Sequence, residues 1–298
     1  MADLPKPPAP AADQTRSLDE RERNVTAPIG RAKRPGFLER NDSLLSTQPD
    51  ALVVQAQSSS TTQPQLQAVI AAPLAHPGQS VLRPELPTAI HEIDERLVLK
   101  REPDSSRAAN YRVLRHRIGQ SGNPRVLVVS SAEPKAGKTT VAANLALALS
   151  ECGRAQVLLV EANFRHPQLG ELFGFFPSAC FHAQLEAHRE RPLDPYTTVE
   201  LYAPYLQLLA VSPSLPRQPL EDGPTFSSAL KRLAQGGYEY IVVDTPPVLG
   251  AADVNLVAAQ ADGVLLVARA GHTKSGALRA AVEQLAPTRI IGITLLDV

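Results

Sequence analysis

The stretch that most restricts this chain is residues 125–153, RVLVVSSAEPKAGKTTVAANLALALSECG. An unbroken apolar run over 125–131 reads as a strand, and the Ala/Leu-rich run from Thr139 reads as a helix ending near Gly153. Between them stands SSAEPKAGKTT, which carries the Gly137-Lys138-Thr139 end of a G-x-x-x-x-G-K-[ST] phosphate-binding loop, with Ala132 in place of the first glycine. The strand–loop–helix order is the context this motif requires. It aims backbone N–H groups and the positive end of a helix at a phosphate. Pro134, Lys135, Ala136, Gly137, Lys138, Thr139 and Thr140 are therefore the expected cradle. Lys138 is expected to reach the β- and γ-phosphates, and Thr139 to offer its hydroxyl to Mg²⁺. Loop glycines permit positive φ, and another residue forced there costs ~1–2 kcal/mol. Against a net stability of ~5–15 kcal/mol, the missing glycines at Ala132 and Ala136 are expected to weaken the loop without abolishing the fold.

Four further apolar runs, 156–162, 238–245, 263–269 and 289–296, read as strands whose near-continuous apolar character suits parallel strands buried on both faces. TFSSALKRLAQGG, AADVNLVAAQ and SGALRAAVEQLAP read as helices ending at Gly or Pro. NYRVLRHRI, upstream of the loop, has Tyr111, Leu114 and Ile118 at helical spacing. This alternation predicts an α/β domain, a mainly parallel sheet with helices on both faces, and ligands beyond the carboxyl ends of the strands. Residues 1–88, rich in Pro, Ala, Gln, Ser and Thr, show no sustained apolar period and are expected to be disordered, leaving 89–298 as the domain.

YIVVDTPP puts Asp244 at the end of an apolar strand, where a carboxylate holding Mg²⁺, often through water, is expected. VLLVEANFRHPQ presents Glu161, Asn163 and Arg165 at alternate positions, which predicts all three on one side of an extended segment. His166 and His272 have no second His or Cys at ligand spacing and read as loop histidines. Thirty basic and thirty acidic residues cancel, so no general attraction to nucleic acid or an anionic membrane is implied. Two cysteines suit a reducing compartment. No secretory signal and no apolar run near the ~18 residues of a membrane span are present. The expectation is a cytoplasmic protein that neither binds nucleic acid nor inserts into membrane.

The order and wording of these elements resemble the cytoplasmic domain of the bacterial tyrosine kinases (BY-kinases) that govern exopolysaccharide and capsule synthesis, within the MinD/ParA-like P-loop ATPases. The resemblance runs from about Ile93 onward. The family loop reads P-G-E-G-K-[ST], its second motif three apolar residues and D-x-D-x-R, its third three apolar residues and D-x-P-P. This chain has P-K-A-G-K-T, L-L-V-E-A-N-F-R and I-V-V-D-T-P-P. ADGVLLVARAGHTKSGAL and NYRVLRHRI also look like family stretches. The resemblance implies a P-loop NTPase fold using ATP and Mg²⁺. It implies Lys138, Glu161, Arg165 and Asp244 as the catalytic set, with Thr139 and Asp244 on the metal. It also implies a homo-oligomer, and a membrane adaptor of the polysaccharide copolymerase type that recruits the protein to the inner face of the plasma membrane.

Departures cluster at the chemistry. The family's second-motif aspartates fall on Glu161 and Asn163, and an amide is no general base, which leaves Glu161 as the remaining base or metal-side carboxylate. The ring-assembly motif E-x-x-R-x-x-R keeps Arg112 and Arg115 but has Ala109. Leu296 stands where the family places an Asn towards adenine. The signature lysine of ParA and MinD matches Glu133, and the tyrosine-rich tail is absent. Three functions compete on these grounds: an ATPase or tyrosine kinase, a catalytically weak pseudokinase regulating polysaccharide export, and a ParA/MinD-like positioning ATPase.

Overall fold

The computed structural model describes residues 81–87, 91–201, 205–214 and 223–297, all within the unit Ala72–Val298. In chain order its strands are β1 (Leu82–Glu85), β2 (Val126–Ser131), β3 (Val157–Glu161), β4 (Tyr196–Glu200), β5 (Leu206–Leu209), β6 (Tyr240–Asp244), β7 (Gly263–Arg269) and β8 (Ile290–Leu296). The helices are α1 (Val98–Arg101), α2 (Ser106–Gln120), α3 (Lys138–Ser150), α4 (Leu169–Phe173), α5 (Phe181–Glu190), α6 (Gly223–Ala234), α7 (Asp253–Ala258) and α8 (Ser275–Leu285). The strands form one sheet in the order β1-β4-β5-β3-β6-β2-β7-β8. Every neighbouring pair is parallel except β4 with β5.

Side-chain alternation sorts the sheet into two cores. Leu127, Val129, Val157, Leu159, Val242, Leu265 and Val267 face a layer holding α1 to α4. Val126, Val128, Leu158, Val160, Ile241, Val243, Val264 and Leu266 face a layer holding α5 to α8. The five apolar runs thus become β2, β3, β6, β7 and β8, with helices on both faces. The chain has the P-loop NTPase α/β architecture. No helix among the described residues is long and apolar enough to cross a membrane.

Two expectations change. The segment expected to be disordered lies outside the described residues except for 81–87, and there Leu82–Glu85 pair in parallel with Tyr196–Val199. The sheet therefore begins before the boundary expected at residue 89. Pro84 fits β1 because an edge strand has one row of backbone groups with no ladder partner. Glu161 to Arg165 are not an extended segment. β3 ends at Glu161, and a turn follows in which His166 N–H donates to the Asn163 carbonyl at 3.2 Å and Asn163 Nδ2 donates to the His166 carbonyl at 2.9 Å. An Asn side chain bonding to nearby backbone competes with extended structure in this way.

Polar bonds lock α3 and the β2–β6 junction beneath the carboxyl edge of the sheet. Asn144, fully buried in α3, donates from Nδ2 to the Arg96 and Thr140 carbonyls at 2.8 and 2.9 Å. Its Oδ1 accepts from Leu99 N–H at 3.3 Å. Ser130 Oγ donates to the Pro246 carbonyl at 2.7 Å, and Thr245 Oγ1 to the Val129 carbonyl at 3.1 Å.

Candidate functional site

β2 delivers the chain into the loop, and α3 begins at Lys138 with no side-chain cap. Val141 N–H donates to the Gly137 carbonyl at 3.0 Å, and this first turn leaves the earlier amide groups of α3 without intrahelical partners. Gly137 caps the helix at φ 90°, and a Cβ there would meet Leu296 Cδ1. The left-handed geometry favours glycine at 137, and a larger residue would also have to displace the Leu296 methyl. The strain expected at Ala132 and Ala136 falls elsewhere. Neither has positive φ; Lys135 does, at 62°.

Left-handed geometry at a non-glycine residue costs ~1–2 kcal/mol, and glycine forfeits roughly 0.5–1 kcal/mol of that through its freer unfolded chain. Lys135→Gly is therefore expected to raise stability by up to about 1 kcal/mol, and the β-branched Lys135→Val to lower it. Urea denaturation of both variants checks this; a Lys135→Gly protein weaker than the parent would show that the side chain itself stabilises the loop.

Thr139 Oγ1 donates to Asp244 Oδ2 at 2.8 Å, joining the first turn of α3 to the end of β6. Asp244 is fully buried, and its Oδ1 has no partner among the described residues. Burial pushes its carboxyl up to about 6, opposed by the Lys138 charge and the Thr139 hydroxyl. Lys138 is itself buried. A hydroxyl and a carboxylate with one spare oxygen are hard oxygen ligands of the kind Mg²⁺ takes alongside substrate phosphates. The residues present fit that ion.

Glu161 is the register partner of Asp244, and neither lines the groove directly; Asp244 reaches it through Thr139, whereas Glu161 is held by backbone amides. It is fully buried, with Oε1 accepting from Gln168 and Leu169 N–H, the latter at 2.8 Å, and Oε2 accepting from Val211 N–H at 2.8 Å. Desolvation pushes its carboxyl up to about 7 even though three amides oppose the rise. Asn163 and Arg165 do line the groove. Asn163 Oδ1 and Arg165 Nε are buried with no partner among the described residues, while Arg165 Nη2 lies 3.6 Å from Asp253 Oδ1. The structure thus brings Lys138, Thr139, Asp244, Asn163 and Arg165 together and turns Glu161 away.

The groove has a volume of about 1180 Å³. Its walls are the loop over 134–140, the turn over 163–168, residues 246–251, the end of β8 and one side of α2. Burial pushes the Tyr111 phenol in that wall up to about 12, so it stays a neutral hydroxyl. Leu296 lies over Gly137, giving an apolar floor between Tyr111, Leu114 and the loop. Arg269 also lines the groove, a residue absent from the expected site. The sequence does carry a signal for it: it ends an apolar strand at the same parity as Leu265 and Val267. Arg112 and Arg115 lie outside the groove and converge on Glu151 of their own chain, Arg112 Nε at 2.9 Å from Oε2 and Arg115 Nη1 at 3.4 Å from it. His166 and His272 are exposed. Among the described residues, no group of three His, Cys, Asp or Glu is placed to hold a metal ion unaided.

This arrangement can hold a polyanion: free amides at a helix start, a buried lysine, two further guanidinium groups and a carboxylate–hydroxyl pair beside them. The ParA family model, described as NUBPL iron-transfer P-loop NTPase, matches residues 123–289. The tyrosine-protein kinase YwqD of Bacillus subtilis is 28% identical over 201 residues, spanning 62% of this chain and 78% of that protein. A putative tyrosine-protein kinase, EpsB of Ralstonia nicotianae, is 29% identical over 201 residues, spanning 65% of this chain but 26% of its own length. Among solved structures, the VpsO kinase domain superposes with a TM-score of 0.55 at 27% identity, covering 64% of this chain and 96% of that one.

Proposed function

This chain belongs to the ParA family of P-loop NTPases, and we propose that it is an ATP-binding protein of the bacterial tyrosine kinase kind. In this reading it couples ATP binding and hydrolysis, or phosphoryl transfer to tyrosine, to the control of exopolysaccharide synthesis and export. The observation that carries the reading is the placement of unsatisfied polar atoms. Of the five buried side-chain N and O atoms without a partner among the described residues, four belong to Asn163, Arg165, Asp244 and Arg269 around the loop. Buried polar groups are normally paired, and leaving one unmade costs ~1–3 kcal/mol. Three of these side chains line one groove and the fourth, Asp244, bonds to the lining residue Thr139, so a polar ligand there would supply the missing partners.

In this reading the amides of Gly137 to Thr140 and the Lys138 ammonium hold the outer phosphates, where charge develops during transfer. Thr139 and Asp244 hold Mg²⁺, which when bound neutralises oxygens of the same phosphates. Glu161, expected from the sequence as a base, has both oxygens taken by amides and serves instead to shape the turn carrying Asn163 and Arg165. Asn163 Oδ1 can accept a hydrogen bond from a hydroxyl nucleophile and orient it, without taking its proton. The proposed partner is a membrane adaptor of the polysaccharide copolymerase type. The names and greater length of relatives such as EpsB support this, since this chain spans 26% of that protein.

The occupied Glu161 and the amide at Asn163 favour a second reading: a nucleotide-dependent regulator that binds ATP and turns it over weakly. One assay separates the two. Full-length protein with Mg²⁺ and labelled ATP is expected to release phosphate or form phosphotyrosine above a Lys138→Ala control. Tight ATP binding with turnover equal to that control would overturn the enzyme reading and leave the regulator; absence of ATP binding would remove both.

A further inference from the structure

Arg269 is one of four arginines that line the groove outside the loop, with Arg96, Arg107 and Arg165. It ends β7, the strand beside β2, and its Cα is in register with Leu296 of β8. Leu265 and Val267, four and two residues earlier, face the α3 layer, so alternation directs Arg269 to that same side of the sheet. Its backbone is fixed. The N–H donates to Thr273 Oγ1 at 2.9 Å, and the carbonyl accepts from His272 and Thr273 N–H at 3.1 and 2.9 Å. Its Nε is buried with no partner among the described residues, and the side chain lines the groove. Arg96, Arg107 and Arg165, the other arginines of the groove, each have a carboxylate within ion-pair distance. Among the described residues, Arg269 has none.

Strand order decides which part of a nucleotide such a cation would meet. β6, with Asp244, flanks β2 on one side, and β7, with Arg269, flanks it on the other. Thr139 and Asp244 would hold a metal that supplies positive charge to the outer phosphates, so that pair would mark the outer end. Arg269 stands across the loop from that pair, beside Leu296, which lies over Gly137. A planar guanidinium offers parallel N–H donors that match phosphate oxygens. We propose that Arg269 grips the inner, α- and β-phosphates of the bound nucleotide from the β7 side of the loop. This rests on the nucleotide reading above and adds to it a second cationic contact, independent of Lys138 and of the metal.

The test is calorimetric titration of the full-length protein with Mg·ATP and with Mg·ADP. Arg269→Ala is expected to weaken both by about 10- to 100-fold, the scale of losing a charge-assisted bond. Arg269→Lys, which keeps the charge but loses the paired donors, is expected to fall between Arg269→Ala and the parent. Thermal melting without nucleotide checks the fold, and if Arg269→Ala is unfolded, Arg269→Lys carries the measurement. Parent-like affinities for both nucleotides in the folded variants would overturn the proposal. A loss confined to ATP would overturn it as well, because it would put the contact on the terminal phosphate. A parent protein that binds neither nucleotide would instead defeat the nucleotide reading itself.

Discussion

Asp244→Asn is expected to leave the empty protein as stable as the parent or more so, while removing the Mg²⁺ dependence of nucleotide binding. The side chain is fully buried, and burial lifts its carboxyl from an ordinary 3.8 to about 6. A tenfold change in proton affinity corresponds to about 1.4 kcal/mol, so holding the charge at neutral pH costs about 3 kcal/mol relative to the neutral form. Asparagine has no charge to desolvate, and its carbonyl oxygen still accepts from Thr139 Oγ1. Its amide takes the place of Oδ1, an atom with no donor facing it among the described residues. The substitution is therefore expected to raise stability by up to about 3 kcal/mol above pH 7. Function moves the other way, because an amide is a poor ligand for a hard dication. ATP affinity is expected to be the same with Mg²⁺ as with EDTA. Any turnover should fall roughly 10²–10³-fold, the scale of losing one preorganised electrostatic element. Urea denaturation and titrations with and without Mg²⁺ are the measurements. A variant destabilised by more than about 1 kcal/mol, or one retaining the parent's Mg²⁺ response, would mean that Asp244 is a structural carboxylate.

What the sequence reveals and what it conceals follow from the range of the forces involved. β2, β3, β6 and β7 are central parallel strands, buried on both faces, so their apolar runs are unbroken and their existence is local information. β4 and β5 carry polar residues that only their cross-strand partners explain: Thr198 Oγ1 donates to Gln207 Oε1 at 2.8 Å. The turn into α3 and the place of Asp244 at the end of β6 are readable because each follows an apolar run in a motif of fixed spacing. Which loop residue takes left-handed φ is not readable, since the missing glycines point to Ala132 and Ala136 whereas the backbone turns at Lys135. Glu161 misleads for a different reason. Its type suggests catalysis, but its direction is set by the amides of Gln168, Leu169 and Val211, the last of them 50 residues away. No pattern local to β3 encodes where those donors will stand.

That arrangement makes Glu161 the second place where a large effect is expected. Glu161→Ala removes the acceptor of three buried amides, those of Gln168, Leu169 and Val211. Each orphaned amide costs ~1–3 kcal/mol, partly offset by loss of the buried charge, whose rise from 4.5 to about 7 corresponds to roughly 3 kcal/mol at high pH. The net expectation is a loss of up to about 6 kcal/mol, with the turn bearing Asn163 and Arg165 released first. Glu161→Gln separates charge from shape. One end of the amide can still accept from Gln168 and Leu169, but its NH₂ must then face the Val211 N–H, donor against donor, for a smaller loss of about 1–3 kcal/mol. The pH profile gives the sign. A carboxyl whose folded pKa exceeds its unfolded value binds more protons in the native state, so its contribution is fully present below 4.5 and is lost as pH rises to about 7. The parent's unfolding free energy is thus expected to decline through that window, with Asp244 adding a smaller decline between 3.8 and about 6. Glu161→Gln should remove the part between about pH 6 and about pH 7, where Asp244 no longer contributes. Denaturation of both proteins at closely spaced pH values makes the comparison. Identical slopes across that interval would show that Glu161 stays ionised throughout, held by its three amides against the pull of desolvation.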